Sequence, residues 1–281
     1  MKLTPISSAG GAIITEVDLK EILSANNQKQ LKDALYKYGV LVIKDQEISD
    51  QDQFRFCEFM GGLGTRGKPL NRRKEDSDSE YAGTVHLVTN LTDQGKPLGS
   101  FGDGEVWFHH DGIFKEVPDA ATVLYALAVT STGGETVFAN MHLAYDNLDS
   151  KIKAKLSGLS ALNIYDYASR GRVDLNQDIS QLNHWIHPLV IRHPETGKKA
   201  LYVNPLMTAR VEGISEFESN ALLELLFKYQ DNDDIIFEHK WDVGDLVIMD
   251  NRSISHARRD FPPGEPRMLR RTLVQGVSVN S

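Results

Sequence analysis

The chain is short of cysteine, of basic charge and of long apolar runs, and each shortage excludes something. One cysteine in 281 residues, Cys57, rules out an internal disulfide and leaves no thiolate metal cluster. Its neighbours Phe54, Phe56, Phe59 and Met60 mark it as a buried small hydrophobe rather than a nucleophile. No apolar run approaches the roughly 20 residues that span a bilayer. The first eight residues, Met-Lys-Leu-Thr-Pro-Ile-Ser-Ser, lack the apolar centre of a signal peptide. Lys and Arg total 31 against 39 Asp and Glu, a net charge of −8, so neither nucleic acid nor an anionic membrane is an expected partner. The expectation is a cytoplasmic protein.

Hydrophobic residues make up 41% and charged residues 25%, ordinary values for a chain that buries a core. Apolar periodicity predicts helices over 27–38, with Leu31, Ala34 and Leu35 on one face, over 50–60 with Ser49 as N-cap, and over 142–156 and 216–229. Short β-like runs fall at 13–17, 40–44, 85–88, 107–110, 121–127, 135–139, 189–192, 200–203, 246–250 and 268–274. There is no internal repeat and no strict β-α alternation. Many short strands with a few helices outside them predict a mainly β (α+β) sandwich or barrel with helical decoration. Gly61-Gly62 and Gly133-Gly134 punctuate the chain without dividing it, so residues 1–281 are expected to form a single domain. Residues 66–80 are nearly all polar or charged and read as a mobile surface loop.

Chemistry concentrates in Trp107-Phe-His-His-Asp-Gly-Ile-Phe114. On a strand, side chains alternate, which would place His109 and Asp111 on one face and His110 on the other. Two histidines and one carboxylate that leave one face of an octahedron open suit Fe(II) in oxygen-activating enzymes. The residues alone leave the second histidine open. His193 lies in a turn-like segment, His184 and His187 flank Trp185, and His86, His142 and His239 lack an acidic partner at ligand spacing. His256 stands apart because it follows the strand-like Leu246-Val-Ile-Met-Asp250 and precedes a basic stretch. In that stretch Arg267 and Arg271, four residues apart, would share a strand face, with Arg270 opposite. A planar guanidinium suits a carboxylate.

Together these segments resemble the taurine/2,4-D type of Fe(II)/2-oxoglutarate dioxygenase. His109-x-Asp111 with Trp107 and Phe114 around it, Gly133-Gly-Glu-Thr136, and Asp250-Asn-Arg-x-x-x-His256 followed by Arg267 and Arg271 carry the likeness. Segments 38–46, 85–99, 187–204 and 213–219 extend it over nearly the whole chain. The resemblance implies a double-stranded β-helix (jelly-roll, cupin-like) core. It implies His109, Asp111 and His256 as ligands of Fe(II), with 2-oxoglutarate and O2 as co-substrates. It implies Arg267, assisted by Thr136, on the remote carboxylate of 2-oxoglutarate, and Arg271 near its other carboxylate or an acidic group of the substrate. Asp250 and Asn251 would be structural. Phe108 between Trp107 and His109, and Gly112 after Asp111, depart from the common Trp-His-Thr-Asp form and move the expected substrate from taurine to another small acidic or amino-acid-derived molecule. The presence of Asp111 argues against halogenation. A catalytically silent jelly-roll binding protein and a zinc hydrolase on the same three ligands are the competing readings. Tyr81, His86, Asn90, Glu105, residues 165–172 and residues 204–210 are candidate pocket positions, and self-association is left open.

Overall fold

Core strands covered on both faces organise the molecule. The structure, a computed structural model, describes residues 1–65, 85–166 and 171–281. The expected mobile loop at 66–80, Tyr81 and residues 167–170 lie outside the described residues. In Val40–Ile43, Ala121–Ala128 and Leu246–Asp250 consecutive apolar side chains point to opposite faces, as the two-residue period of a strand requires. Val40, Val42, Leu124, Ala126, Val247 and Met249 point inward and meet Phe138, Phe237 and Ile254. Leu41, Ile43, Val123, Tyr125, Leu246 and Ile248 point outward and are covered by Leu31, Ala34 and Leu35 from the helix Ala25–Tyr38 and by Phe56, Cys57 and Met60 from the helix Asp50–Met60. Each such large apolar side chain contributes about 1.5–3 kcal/mol when fully buried.

Two sheets result. The larger has seven strands in the spatial order Lys2–Ser7, Gly10–Thr15, Val40–Ile43, Leu246–Asp250, Ala121–Ala128, Met268–Val274 and His86–Thr89. The smaller has four, Ile236–His239, Thr136–Asn140, Ile254–Arg258 and Val106–His109. Their apolar inner faces pack on each other as the jelly roll expected from the sequence. The outer face of the smaller sheet is covered by the helices Met141–Asp146 and Glu216–Gln230 and by the chain around Leu189–Val203, through Ala139, Met141, Ala144, Leu201, Leu223 and Leu226. None of the helices among the described residues is long and apolar enough to cross a membrane.

Helix boundaries follow their caps. Ser24 and Ser49 accept the backbone N–H groups of Asn27 and Asp52, and Asp52 completes a capping box with Ser49. Gly39 ends the first helix with φ 74°, its N–H bonded to the Leu35 carbonyl at 2.7 Å. A Cβ there would lie 2.5 Å from Ile254 Cδ1, so sheet packing also demands glycine. The helix predicted over 142–156 is instead two, Met141–Asp146 and Ser150–Leu156. Asp149 divides them because its side chain caps the second, accepting from Ile152 N at 2.9 Å. The strands Ser160–Tyr165, Asn183–Pro188, Thr208–Val211, Ile236–His239 and Ile254–Arg258 were not expected. The last has polar residues buried on both faces, so it shows no alternation.

Buried ion pairs tie the outer layers to the larger sheet. Arg270 faces away from the predicted anion site, as expected, and binds Gln53 Oε1 at 2.7 Å, Asp50 and the Ile48 carbonyl, over the Tyr125 ring. Asp250 accepts from Arg252 Nη2 at 2.8 Å and lies 2.9 Å from His193 Nε2, while Arg252 also reaches Glu195. Burial would raise the Asp250 carboxyl, but Arg252 and His193 hold it well below the usual carboxylate range. Asp250→Ala leaves Arg252 buried without its partner. It is expected to lower stability by about 3–5 kcal/mol in urea denaturation. Because this carboxyl is depressed in the folded state, its contribution is full above the unfolded carboxylate pKa and fades as pH falls below it. The wild type should therefore lose its advantage over Asp250→Ala in strong acid.

Candidate metal centre

Strand pairing builds the site. Val106–His109 and Ile254–Arg258 are antiparallel neighbours in the smaller sheet, with His109 and His256 directly opposite each other. Their ring centroids lie 4.1 Å apart. Asp111 is not on the strand with His109, as the alternation argument had it; the strand stops at His109 and Asp111 stands in the turn that follows. The turn still returns its carboxylate to the histidines. Asp111 Oδ1 is 3.8 Å from His109 Nε2 and Oδ2 is 4.0 Å from His256 Nε2. One donor atom from each of the three lies within 4.8 Å of the others. All three residues are buried.

The donor set suits a cation. His109 Nδ1 donates its hydrogen to the Trp107 carbonyl at 2.8 Å, so Nε2 presents its lone pair to the centre. Burial first, then neighbouring positive groups, lowers both histidines below their usual range; for His256 the next cause is His109. Both are therefore neutral at pH 7, the state that ligates. Burial would raise the Asp111 carboxyl, yet Arg271, the two histidines and Thr122 outweigh it and keep it ionised. Arg271 Nη2 lies 3.0 Å from Asp111 Oδ1, and Thr122 Oγ1 donates to Oδ2 at 2.6 Å. Asn251 Nδ2 in turn donates to Thr122 Oγ1 at 3.1 Å, which gives Asn251 the structural part expected of it.

Beside the three donors, a pocket walled by Val88, Leu124 and Leu269 contains Thr136, Arg267 and Arg271. Arg267 is 3% exposed, and its Nε and Nη2 share the Gly134 carbonyl at 3.3 and 3.1 Å. Its Nη1 is buried with no hydrogen-bond partner among the described residues. Burial pushes this guanidinium down, to about 9, and the nearby Arg258 adds to the effect. It remains a cation short of counter-charge, which a carboxylate would supply. Trp241 Nε1 donates to Thr136 Oγ1 at 3.0 Å, leaving the hydroxyl hydrogen for another acceptor.

All six sequence-predicted site residues therefore converge on one pocket. Several others were missed. Thr122 was visible only as one polar residue in an apolar strand, and Trp241 gave no signal in the sequence. Arg258 ties the segment 101–104 to the rim through the Phe101, Gly102 and Gly104 carbonyls. Of the candidate pocket positions, Asn90 holds the Arg267 backbone N–H, Asn204 holds Met207 N and His110, and Glu105 accepts from Trp107 Nε1. His110 points away from the centre toward Tyr202; burial, then His109, lowers it to about 3. His193 and His239 each pair with a buried aspartate, Asp250 and Asp245.

The chain is similar over nearly its whole length to several known proteins. The family described as Taurine catabolism dioxygenase TauD, TfdA family matches residues 2–273. The chain is 30% identical to the alpha-ketoglutarate-dependent 2,4-dichlorophenoxyacetate dioxygenase of Cupriavidus pinatubonensis, over 99% of this chain and 97% of that one. It is 27% identical to an alkylsulfatase of Acinetobacter baylyi, over 98% and 85%. Among solved structures, AAD-2 in complex with Mn(II) and N-oxalylglycine superposes with a TM-score of 0.80 at 27% identity, covering 98% of both chains.

Thr122→Val removes the hydrogen bond that orients Asp111 while keeping side-chain volume. It is expected to weaken divalent-metal affinity about 10–100-fold, measured by titration of the metal-free protein with Fe(II) under anaerobic conditions.

Proposed function

The chain belongs to the TauD, TfdA dioxygenase family, and on that footing we propose that it is a single-domain oxygenase whose iron is held by His109, Asp111 and His256 and whose 2-oxoglutarate is held by Arg267 and Thr136, with Arg271 at the other carboxylate of 2-oxoglutarate or at an acidic group of the substrate. One observation carries the proposal. The pocket that gathers two neutral histidines and an ionised aspartate also contains a buried guanidinium with an unused N–H. A zinc hydrolase on the same three donors would leave Arg267 without a task.

When bound, Fe(II) supplies O2 activation coupled to the oxidative decarboxylation of 2-oxoglutarate to succinate and CO2. The protein's residues supply the rest. Arg267 takes the carboxylate far from the metal, with the Thr136 hydroxyl as a second donor. Trp107 and Thr122 hold His109 and Asp111 in the orientation that ligation needs. Val88, Leu124 and Leu269 exclude water from the pocket, which strengthens every charge interaction inside it.

The substrate in this proposal is a small acidic or amino-acid-derived molecule, and the outcome is hydroxylation, with desaturation or cleavage of a carbon–heteroatom bond as other courses of the same oxidation. Arg271 supports the acidic part, because it carries positive charge to the edge of the ligand set. The relatives point the same way: 2,4-dichlorophenoxyacetate and alkyl sulfates are organic anions. We place the enzyme in the cytoplasm, acting on a small molecule and on neither nucleic acid nor membrane. Whether it self-associates is a matter for sedimentation.

Anaerobic addition of Fe(II) and 2-oxoglutarate is expected to produce a weak visible charge-transfer band. Replacing His109, Asp111 or His256 by Ala should abolish both the band and succinate release; near-normal succinate from any of the three overturns the assignment. Arg267→Ala should raise the KM for 2-oxoglutarate tenfold or more, about 1.4 kcal/mol, while leaving metal affinity near the wild-type value.

A further inference from the structure

Gly112 takes no part in the metal centre. It follows Asp111 directly, with φ +76°, and a Cβ built on it would stand 2.7 Å from Asp119 Oδ2. The missing side chain makes room for a carboxylate. Asp119 is 6% exposed and comes at the end of the same loop, just before the strand Ala121–Ala128. Its Oδ2 accepts from Lys115 Nζ at 2.7 Å. Its Oδ1 has no hydrogen-bond partner among the described residues.

That carboxylate lines a cleft of about 640 Å³ that runs along the outside of the loop. The walls are Phe114, Val117, Leu182 and Trp185, and the charged residues among them are Lys115, Glu116 and Asp119, of which Glu116 is exposed and Asp119 buried. Phe114 is held in place by stacking on Tyr165, with ring centroids 5.3 Å apart and planes 22° from parallel. Arg271, which lines the metal pocket, lies 3.0 Å from Asp111 Oδ1 on the same turn, and its charge acts on Asp119. The turn Asp111–Gly112 thus has a guanidinium at Asp111 and, against Gly112, a carboxylate with an oxygen to spare that lines a cleft of mixed polar and apolar walls.

Resting on the iron and 2-oxoglutarate reading above, we propose that Asp119 is a specificity-determining residue that receives an ammonium group. The substrate is then an amino-acid-like zwitterion, with its carboxylate toward Arg271, its ammonium on Asp119 Oδ1 and a bulky apolar body along Phe114 and Trp185. A carboxylate withdrawn from water binds an ammonium strongly, whereas a neutral group in its place leaves the carboxylate's desolvation uncompensated. Lys115 does not duplicate this, since it occupies the other oxygen.

The test uses the Fe(II)-loaded enzyme with 2-oxoglutarate and O2, and pairs of acids that differ only in the amine: phenylalanine against 3-phenylpropanoate, and leucine against 4-methylpentanoate. The readout is the ratio of kcat/KM for substrate-dependent succinate release within each pair. This ratio is internal to each variant, so a general loss of activity or of folded protein cancels. Wild type is expected to favour the amine-bearing acid at least tenfold. In Asp119→Asn the ratio should fall toward one, mainly through KM, and Lys115→Met, which keeps the carboxylate, should retain the preference. The proposal is overturned if wild type favours the amine-free acids, if no amino acid in the panel accelerates succinate release, or if Asp119→Asn keeps the wild-type ratio. Failure of the underlying iron reading shows separately, as absence of the charge-transfer band in wild type before any substrate is added.

Discussion

The antiparallel pairing of Val106–His109 with Ile254–Arg258 is the constraint on which the site depends. It sets His109 opposite His256 although they lie 147 positions apart along the chain. A slip of one residue in that register would turn His256 to the other face of the sheet, where the helix Glu216–Gln230 packs. The register is held from both sides. Ser255, between the two, donates its hydroxyl to the His109 carbonyl and accepts from Gln230, and the strand Thr136–Asn140 pairs along the other edge. The hydrogen bonds that keep the sheet in register also keep the donors in place.

Charge is managed inside this sandwich by a few arginines, each doing something different. Arg270 and Arg252 are fully engaged by side-chain and backbone acceptors and tie helices and loops to the larger sheet. Arg258 spends its guanidinium on backbone carbonyls and shapes the rim of the pocket. Arg267 differs. It is as deeply buried as the others but retains an unused N–H, and burial works against its charge. Completed buried cations build structure, and the incomplete one marks where an anion belongs.

The neighbouring turn applies the same economy to substrate. Asp111 is presented from a turn rather than a strand, so the loop after it is released from the sheet and can carry recognition residues. Phe114, Lys115 and Asp119 all sit on that loop, between a metal donor and the first residues of a core strand. Its two ends are fixed by the smaller and the larger sheet. His109, Thr136, His256 and Arg271 stand on strands, whereas Asp111 and the recognition residues proposed above stand on the connection between them.

By itself the sequence determined the mainly β class, the three longest helices and the burial of Cys57, and the kind of chemistry came through the resemblance to the family carried by His109, Asp111, Thr136, His256, Arg267 and Arg271. These were legible because apolar periodicity reports one-sided burial, and because the motif residues recur in a fixed order along the chain. The strand bearing His256 was not legible, since its polar side chains are buried on both faces and their partners are distant in sequence. The break in the predicted helix over 142–156 turned on one aspartate choosing to cap rather than to continue. The strand face claimed for Asp111 was wrong in its reason and right in its result, because strand pairing ends two residues before it while the turn brings the carboxylate back. Only the tertiary structure placed Thr122 under Asp111, left Arg267 one hydrogen bond short and set Asp119 against Gly112, because each of these depends on which distant side chains share a low-dielectric space, and no local pattern encodes that.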